Sequence, residues 1–275
     1  MKMKPSKVLQ KLRAGELVSC VKLNSQDYRL AELAGMCGFD CLWMDMEHVP
    51  NDLSVIEISA LAAKACGADL MTRVPRGSYS NHIRALEAGA TGIMVPHVMS
   101  LEDAKNVVRM TRFHPIGRRP VDGGNADGAY CLVDFNDYIK QSNEHRFVMI
   151  QIEDPEPLSQ LDEICALEGI DVIFFGPGDF SQGIGAPGDF ANPEITRVRK
   201  LIAETARKHG KFAGTVGSPA NLKELYDMGY RFVSCGADVV GLTAYYQNIL
   251  KAYQNEAFGK AADKETKQSG KGIYK

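Results

Sequence analysis

No uninterrupted apolar stretch in these 275 residues approaches the roughly 18 needed to span a bilayer, and the opening MKMKPSKVLQKLRAGE lacks the apolar run of a signal peptide. A cytoplasmic protein with no membrane partner is expected. Paired cysteines are missing too: Cys20, Cys37, Cys41, Cys66, Cys131, Cys165 and Cys235 are odd in number, scattered and without C-x-x-C spacing. That argues against a disulfide framework and against a thiolate zinc site, and leaves them as small core fillers. Neither sign of charge is in excess. Lys and Arg number 32 against 34 Asp and Glu, a formal net charge of -2, which gives no electrostatic ground for binding nucleic acid. The partner expected is a small molecule. A G-x-G-x-x-G turn is also absent after Asn24, and GGNADG at 123–128 does not fit that pattern, which weighs against a doubly wound dinucleotide fold.

What the chain does have is a repeat of short apolar, β-branched runs: Val18 to Asn24, Phe39 to Glu47, Asp69 to Val74, Gly92 to His97, Phe147 to Glu153, Asp171 to Gly176, Phe212 to Val216 and Phe232 to Cys235. Helical patterns with recognisable ends separate most of them. Asn192 serves as an N-cap before Pro193, with Gly210 as a stop, and Ser218-Pro219 opens another helix that Gly229 closes. Strands that read as buried on both faces and alternate with helices indicate a parallel sheet, and eight such units indicate an α/β fold of the (β/α)8 TIM barrel type. One domain over 1–258 is expected. Its last helix carries Tyr245, Tyr246, Ile249, Leu250 and Tyr253 at helical spacing, an apolar face suited to an intersubunit contact in a homo-oligomer. The tail 259–275, with Lys260, Lys264, Lys267, Lys271 and Lys275, is too polar to pack and is expected to be mobile. From Pro115 to Arg146 a long connector with a short helix around Asp137 to Ser142 reads as an active-site cover.

A barrel builds its site at the C-terminal strand ends, so polar residues should concentrate there. They do. The second run ends in Asp45, Glu47 and His48, the third in Arg73, the fourth in His97; the fifth carries Gln151 and Glu153, and the sixth leads into Gly176-Pro177-Gly178-Asp179. Parity puts Gln151 and Glu153 on the inner face, with Val148, Ile150 and Ile152 facing the helices. Glu153 and Asp179 then share one cavity, and two such carboxylates need a shared proton, a basic neighbour or a divalent metal. Two carboxylates outnumber Arg73, which favours metal. His97 reads first as a structural histidine and second as a substrate contact, His48 as a residue that Asp45 could hold or as a helix cap, and Arg76, Arg118 and Arg119 as solvated or loop-anchoring groups.

The stretches FDCLWMDMEHVPND, Arg73, IQIED and EGIDVIFFGPGDFSQGIG resemble the HpcH/HpaI aldolases, metal-dependent class II pyruvate aldolases within the phosphoenolpyruvate/pyruvate barrel superfamily, over most of the chain from about Leu12 to Tyr253. The resemblance implies a carbon–carbon lyase that cleaves a 4-hydroxy-2-oxoacid to pyruvate and an aldehyde. It implies a divalent ion (Mg²⁺, Mn²⁺ or Co²⁺) on Glu153 and Asp179, and Arg73 at the pyruvyl oxygen. His48 would take the proton of the 4-hydroxyl with Asp45 orienting it, Gln151 would line the pyruvate pocket, and the backbone N–H groups of Gly178 and Asp179 would receive the pyruvate carboxylate. A hexamer with exchanged terminal helices is the oligomer it suggests.

The chain departs from that pattern at Gly117-Arg118-Arg119-Pro120, followed by Asp122 and Asp127, where many members read G-x-R-G, and at Gly178, where Ala is common. Added negative charge in that loop would favour a neutral or polyhydroxylated aldehyde. Three rivals stand beside this reading: a Schiff-base aldolase using Lys22, an acyl-CoA thioester lyase of the same superfamily, and a non-catalytic 2-oxoacid-binding protein. The EHVPND and GPGDFS stretches favour the aldolase over the thioester lyase.

Overall fold

The computed structural model describes residues 1–258. All eight expected runs are strands: β1 (Val18–Leu23), β2 (Cys41–Asp45), β3 (Asp69–Arg73), β4 (Gly92–Val95), β5 (Phe147–Ile152), β6 (Val172–Phe175), β7 (Phe212–Gly217) and β8 (Tyr230–Ala237). Each pairs in parallel with the next and β8 pairs with β1, so the sheet closes and leaves no open strand edge among the described residues. The helices around it are α1 (Lys7–Arg13), α2 (Tyr28–Met36), α3 (Leu53–Ala65), α4 (Tyr79–Glu87), α5 (Leu101–Thr111), α6 (Phe135–His145), α7 (Leu161–Ala166), α8 (Pro177–Gly183), α9 (Pro193–Lys208), α10 (Leu222–Met228) and α11 (Asp238–Phe258). The Asn192 side chain caps α9 by accepting from Glu194 N, and Gly229 ends α10 in the left-handed region as expected. Helix α10 itself starts later than Ser218-Pro219, because Asn221 Oδ1 accepts from Ser218 N and holds the preceding residues in a turn.

Strand parity sorts the apolar residues into two cores. Trp43, Met71, Met94, Met149, Phe174 and Phe232 fill the barrel interior, while Ile93, Val148, Ile150, Ile152, Ile173 and Phe175 face the helices. The aromatic rings meet edge-on, Trp43 against Phe174 at 5.8 Å between centroids. Phe147 fits inside because β4 opens with Gly92: a Cβ there would lie 2.3 Å from the ring.

Helix α1 plugs the N-terminal end of the barrel with Val8, Leu9 and Leu12. Ionic contacts fix it, since Asp40 at the start of β2 receives Lys7 at 3.0 Å, Lys11 at 2.7 Å and the backbone N–H of Ser19 at 2.9 Å. Burial pushes the Asp40 carboxyl up, but Lys11, Ser19 and Lys7 together outweigh it and bring the pKa down from 3.8 to about 2. A carboxylate whose folded pKa is depressed stabilises the native state above its unfolded pKa and loses that contribution as pH falls through the folded one. The contribution here is on the order of 2 kcal/mol. Asp40→Asn is therefore expected to lower stability by about that much at neutral pH, and urea titrations should show the gap closing as the pH drops from about 4 to about 2. An equal gap at both ends of that range would refute the assignment.

The segment from Pro115 to Arg146 corrects an expectation. It joins α5 to β5 and so lies at the strand starts, where Ala126 N donates to Glu87 O at the end of α4. Arg146, just before β5, reaches the Lys4 carbonyl at 3.4 Å and Asp127 at 2.6 Å. Within one chain this segment closes the end opposite the strand-end cavity and covers no site there. Asp127 lies buried between Arg119 at 2.8 Å and Arg146, so it cannot oppose charge on an aldehyde in that cavity. The short helix expected near Asp137 is α6, three turns long and capped by Asp134.

Helix α11 leans on β1 and β8 and presents the expected row, with Tyr245, Tyr246, Ile249, Leu250 and Tyr253 all exposed. Among the described residues no helix is long and apolar enough to cross a membrane. The tail 259–275 lies outside the described residues.

Candidate active site at the strand ends

Asp45 and Arg73 are register partners on β2 and β3, so both side chains enter the barrel mouth side by side. Arg73 grips Asp45 with two donors, Nε at 3.0 Å from Oδ1 and Nη2 on Oδ2, while Lys22 from β1 approaches the same Oδ2 at 2.7 Å. Burial raises the Asp45 pKa, yet Arg73 and then Lys22 dominate and hold it well below the ordinary carboxylate range. The indole of Trp43 lies under both cations, 5.2 Å from Lys22 Nζ and 5.1 Å from the Arg73 guanidinium carbon. Asp45 thus locks the arginine in place. Its contact with His48 is only through that residue's backbone N–H, at 3.5 Å, and the imidazole instead stands 3.4 Å from Glu47 Oε2. The expected pairing in which Asp45 orients the His48 ring is not the arrangement in this chain.

A second group sits across the mouth. Glu153, at the end of β5, is 1% exposed; its Oε1 accepts the His97 backbone N–H at 2.9 Å and its Oε2 accepts from Gln151 Nε2. Burial pushes its pKa up to about 7, against the pull of the His97 N–H and ring and with a smaller push from Asp179. Arg73 offsets this only in part, because that guanidinium is bonded to Asp45 and to Glu47 at 3.1 Å. Gly176 makes the approach possible: a Cβ at that position would lie 2.6 Å from Glu153 Oε2 and 2.8 Å from Gln151 Nε2. The Gly-Pro-Gly turn read from the sequence is the first turn of α8, with Gly176 as N-cap and Pro177 at N1. It carries Asp179 to the same place, where backbone N–H groups at positions Gly178 and Asp179 have no partner within the helix.

One donor atom each from Glu153, Asp179 and His97 lies within 4.8 Å of the other two. That cluster can hold a divalent ion, and its members have the carboxylate and imidazole chemistry that such ions take. The Oε1 of Gln151 beside it is buried without a hydrogen-bond partner, an acceptor left over for something the cavity receives. Sequence reading brought Glu153 and Asp179 together and took His97 as a structural histidine first and a substrate contact second, not as a member of this cluster. The signal it lacked was backbone geometry, since His97 sits in the left-handed region at φ 48°, where its N–H meets Glu153 and its ring Asp154.

The cavity holds about 200 Å³ and is lined by Lys22, Trp43, His48, Arg73, Gln151, Glu153, Gly176, Gly178 and Asp179 among others. That is room for a small oxoacid and little more. Every residue expected at the site except Asp45 lines it, and Asp45 lies directly behind Arg73. His48, more than half exposed, stands at the rim.

The sequence matches the model of the HpcH/HpaI aldolase/citrate lyase family over residues 19–244. It is 31% identical over 224 residues to 5-keto-4-deoxy-D-glucarate aldolase of Klebsiella pneumoniae, covering 81% of this chain and 87% of the relative. It is 32% identical over 248 residues to 2-keto-3-deoxy-L-rhamnonate aldolase of the same organism, covering 90% and 92%. The crystal structure of an HpcH/HpaI aldolase from Desulfitobacterium hafniense superposes with a TM-score of 0.86 at 25% identity, covering 92% of this chain and 98% of that one. Matches of this extent run through the barrel from β1 to β8, and the chain belongs to the HpcH/HpaI aldolase/citrate lyase family.

Proposed function

We propose that the protein reversibly cleaves a 4-hydroxy-2-oxoacid to pyruvate and an aldehyde, with a divalent ion (Mg²⁺, Mn²⁺ or Co²⁺) held by Glu153 and Asp179. The observation that carries this reading is the convergence of Glu153 and Asp179 beside Arg73 in one small cavity, with a donor atom of His97 within 4.8 Å of both carboxylates. The residues fit the ion: a buried carboxylate whose hydrogen bonds come from a neutral amide and a backbone N–H still needs a cation when ionised. When bound, the ion supplies Lewis acidity at the 2-oxo group.

The chain's own groups divide the remaining work. Arg73, immobilised by Asp45, donates to the 2-oxo oxygen and offsets the negative charge that gathers there as the C3–C4 bond breaks. Gln151 borders the pyruvyl end, and the Gly178 and Asp179 N–H groups receive the carboxylate. His48 at the rim takes the proton from the 4-hydroxyl, so that the C4–O bond becomes the aldehyde carbonyl while the C3–C4 electron pair passes to the pyruvyl fragment. The Klebsiella relatives are aldolases of a keto-deoxy glucarate and a keto-deoxy rhamnonate, and we extend that sugar-acid class to this chain. The Schiff-base alternative is disfavoured by the Lys22–Asp45 ion pair, because a paired ammonium is not the nucleophile that step needs.

Exchange of the pyruvate methyl protons in D₂O, followed by NMR, tests the reading without knowledge of the aldehyde. Exchange should require added Mg²⁺ or Mn²⁺ and stop in EDTA; exchange that persists in EDTA, with borohydride trapping pyruvate on Lys22, would replace it with the Schiff-base mechanism. His48→Ala should lower aldol turnover by about 10²- to 10⁴-fold while pyruvate and metal still bind. Unchanged turnover would remove His48 from its role.

A further inference from the structure

We propose that His97 is a third protein ligand of the metal, with Asp154 as the carboxylate that orients its ring, and that this imidazole biases the site towards borderline first-row ions and away from Mg²⁺. The inference rests on the metal-dependent reading above and goes beyond the Glu153–Asp179 pair that reading uses.

The geometry at the end of β4 points this way. His97 Nδ1 lies 2.9 Å from Asp154 Oδ2, and the ring belongs to the cluster whose donor atoms fall within 4.8 Å of one another. Asp154 follows Glu153 directly, so the end of β5 supplies a ligand and, one residue on, the group that fixes its neighbour. A carboxylate on Nδ1 sets the tautomer and leaves Nε2 with its lone pair, the arrangement in which metal-bound histidines are held; Nδ1 also lies 3.7 Å from Glu153 Oε1, and Nε2 stands 3.8 Å from Glu47 Oε1. The backbone is committed to the same end. A left-handed conformation is unfavourable for a non-glycine residue, and His97 is kept there at φ 48° by its N–H bond to Glu153 Oε1, which ties the ring to the ligand carboxylate beside it. An imidazole that merely neutralised Asp154 on the surface would need neither the turn nor the contact with Glu153.

Two carboxylates alone form an all-oxygen set suited to Mg²⁺, whereas an added imidazole raises affinity for Mn²⁺, Co²⁺, Ni²⁺ and Zn²⁺ in rising or nearly rising order. Selectivity is therefore the readout. Chelator-stripped protein would be titrated calorimetrically with Co²⁺ and with Mg²⁺, and the Co²⁺ form examined by visible absorption. His97→Ala is expected to weaken Co²⁺ binding by about 10- to 100-fold or more and to shift the Co²⁺ spectrum, with Mg²⁺ affinity changed by less than about threefold; Asp154→Asn should lose about tenfold for Co²⁺. Wild-type protein loaded with Mn²⁺ should show ¹⁴N coupling in pulsed electron paramagnetic resonance, a measurement that stands even if a variant fails to fold. If the ¹⁴N coupling is absent from wild type, or if His97→Ala binds Co²⁺ with unchanged affinity and spectrum, His97 is not a ligand and the Glu153–Asp179 site stands without it. If wild type binds neither ion, the metal-dependent reading fails and takes this inference with it.

Discussion

Glu153→Gln is expected to reduce metal-dependent pyruvate exchange by on the order of 10³-fold and to weaken divalent-ion binding by more than about 100-fold. The substitution keeps the size of the side chain and an oxygen that can accept the His97 N–H, so the change isolates charge. Removing a residue that merely supports a metal ligand costs about 10- to 100-fold in affinity, and the loss of an anionic ligand must exceed that. The rate follows because such a site accelerates its reaction chiefly through electrostatic stabilisation of the charge that develops at the reacting oxygen. Stability should move the other way in metal-free protein. Wild-type Glu153 is a buried carboxylate with no guanidinium bonded to it, and the amide spares the native state its desolvation, so the variant unfolds in EDTA at a temperature no lower than wild type. Asp179→Asn should reproduce the loss of exchange, and the double variant should be little worse than either single one, since one ion is lost only once. Calorimetric titration and the D₂O exchange rate check both halves; a Glu153→Gln protein that bound Mn²⁺ as tightly as wild type would end the metal assignment.

How far the sequence could be read depended on the kind of signal. The barrel was legible because its strands are buried on both faces and therefore form unbroken apolar runs, and a polar residue at the end of such a run can only be at a mouth. Glu153 and Gln151 were placed on the inner face by parity alone, and Phe147 and Met149 in the interior core confirm the alternation. Three things were missed. The partner of Asp45 is set by the β2–β3 register, which places Arg73 beside it, and chain spacing pointed instead to His48 three residues on. His97 needed a backbone torsion to be seen as part of the cluster. The 115–146 connector was assigned to the wrong end because its length and glycines say that it is a loop, while which face it occupies depends on its following a helix and preceding a strand. That last point was available in the sequence: an αβ connection returns to the strand starts, and only βα loops reach the mouth.

Asp127→Ala, at that opposite end, should be the most destabilising of the substitutions considered, by about 3–5 kcal/mol, because it strands two buried guanidiniums at once. Arg119 Nη1 and Arg146 Nε sit 2.8 Å and 2.6 Å from the two Asp127 oxygens, and the Tyr138 hydroxyl donates to the same carboxylate at 3.0 Å. All four side chains are buried, so water cannot replace the lost anion without opening the loop. Burial would push the Asp127 carboxyl up, but Arg119 and Arg146 outweigh it and hold the pKa below its usual value. With a depressed folded pKa the stabilisation is present above the ordinary aspartate range and is lost on acidification, so the wild-type advantage should shrink below about pH 4. For a chain of this length a deficit of that size lowers Tm by on the order of 10 °C. Conversely, replacing all three ionic residues by apolar ones of similar volume should recover much of the loss, since a buried ion triad owes its importance to the cost of breaking it rather than to a large net gain. Metal affinity of the folded protein should not change, because Asp127 and the Glu153 cluster lie at opposite ends of the barrel. Thermal unfolding of the single and triple variants, alongside Co²⁺ titration, separates the two effects; a single variant as stable as wild type would mean that the arginines find water or another anion, and that the loop is held by its backbone bonds instead.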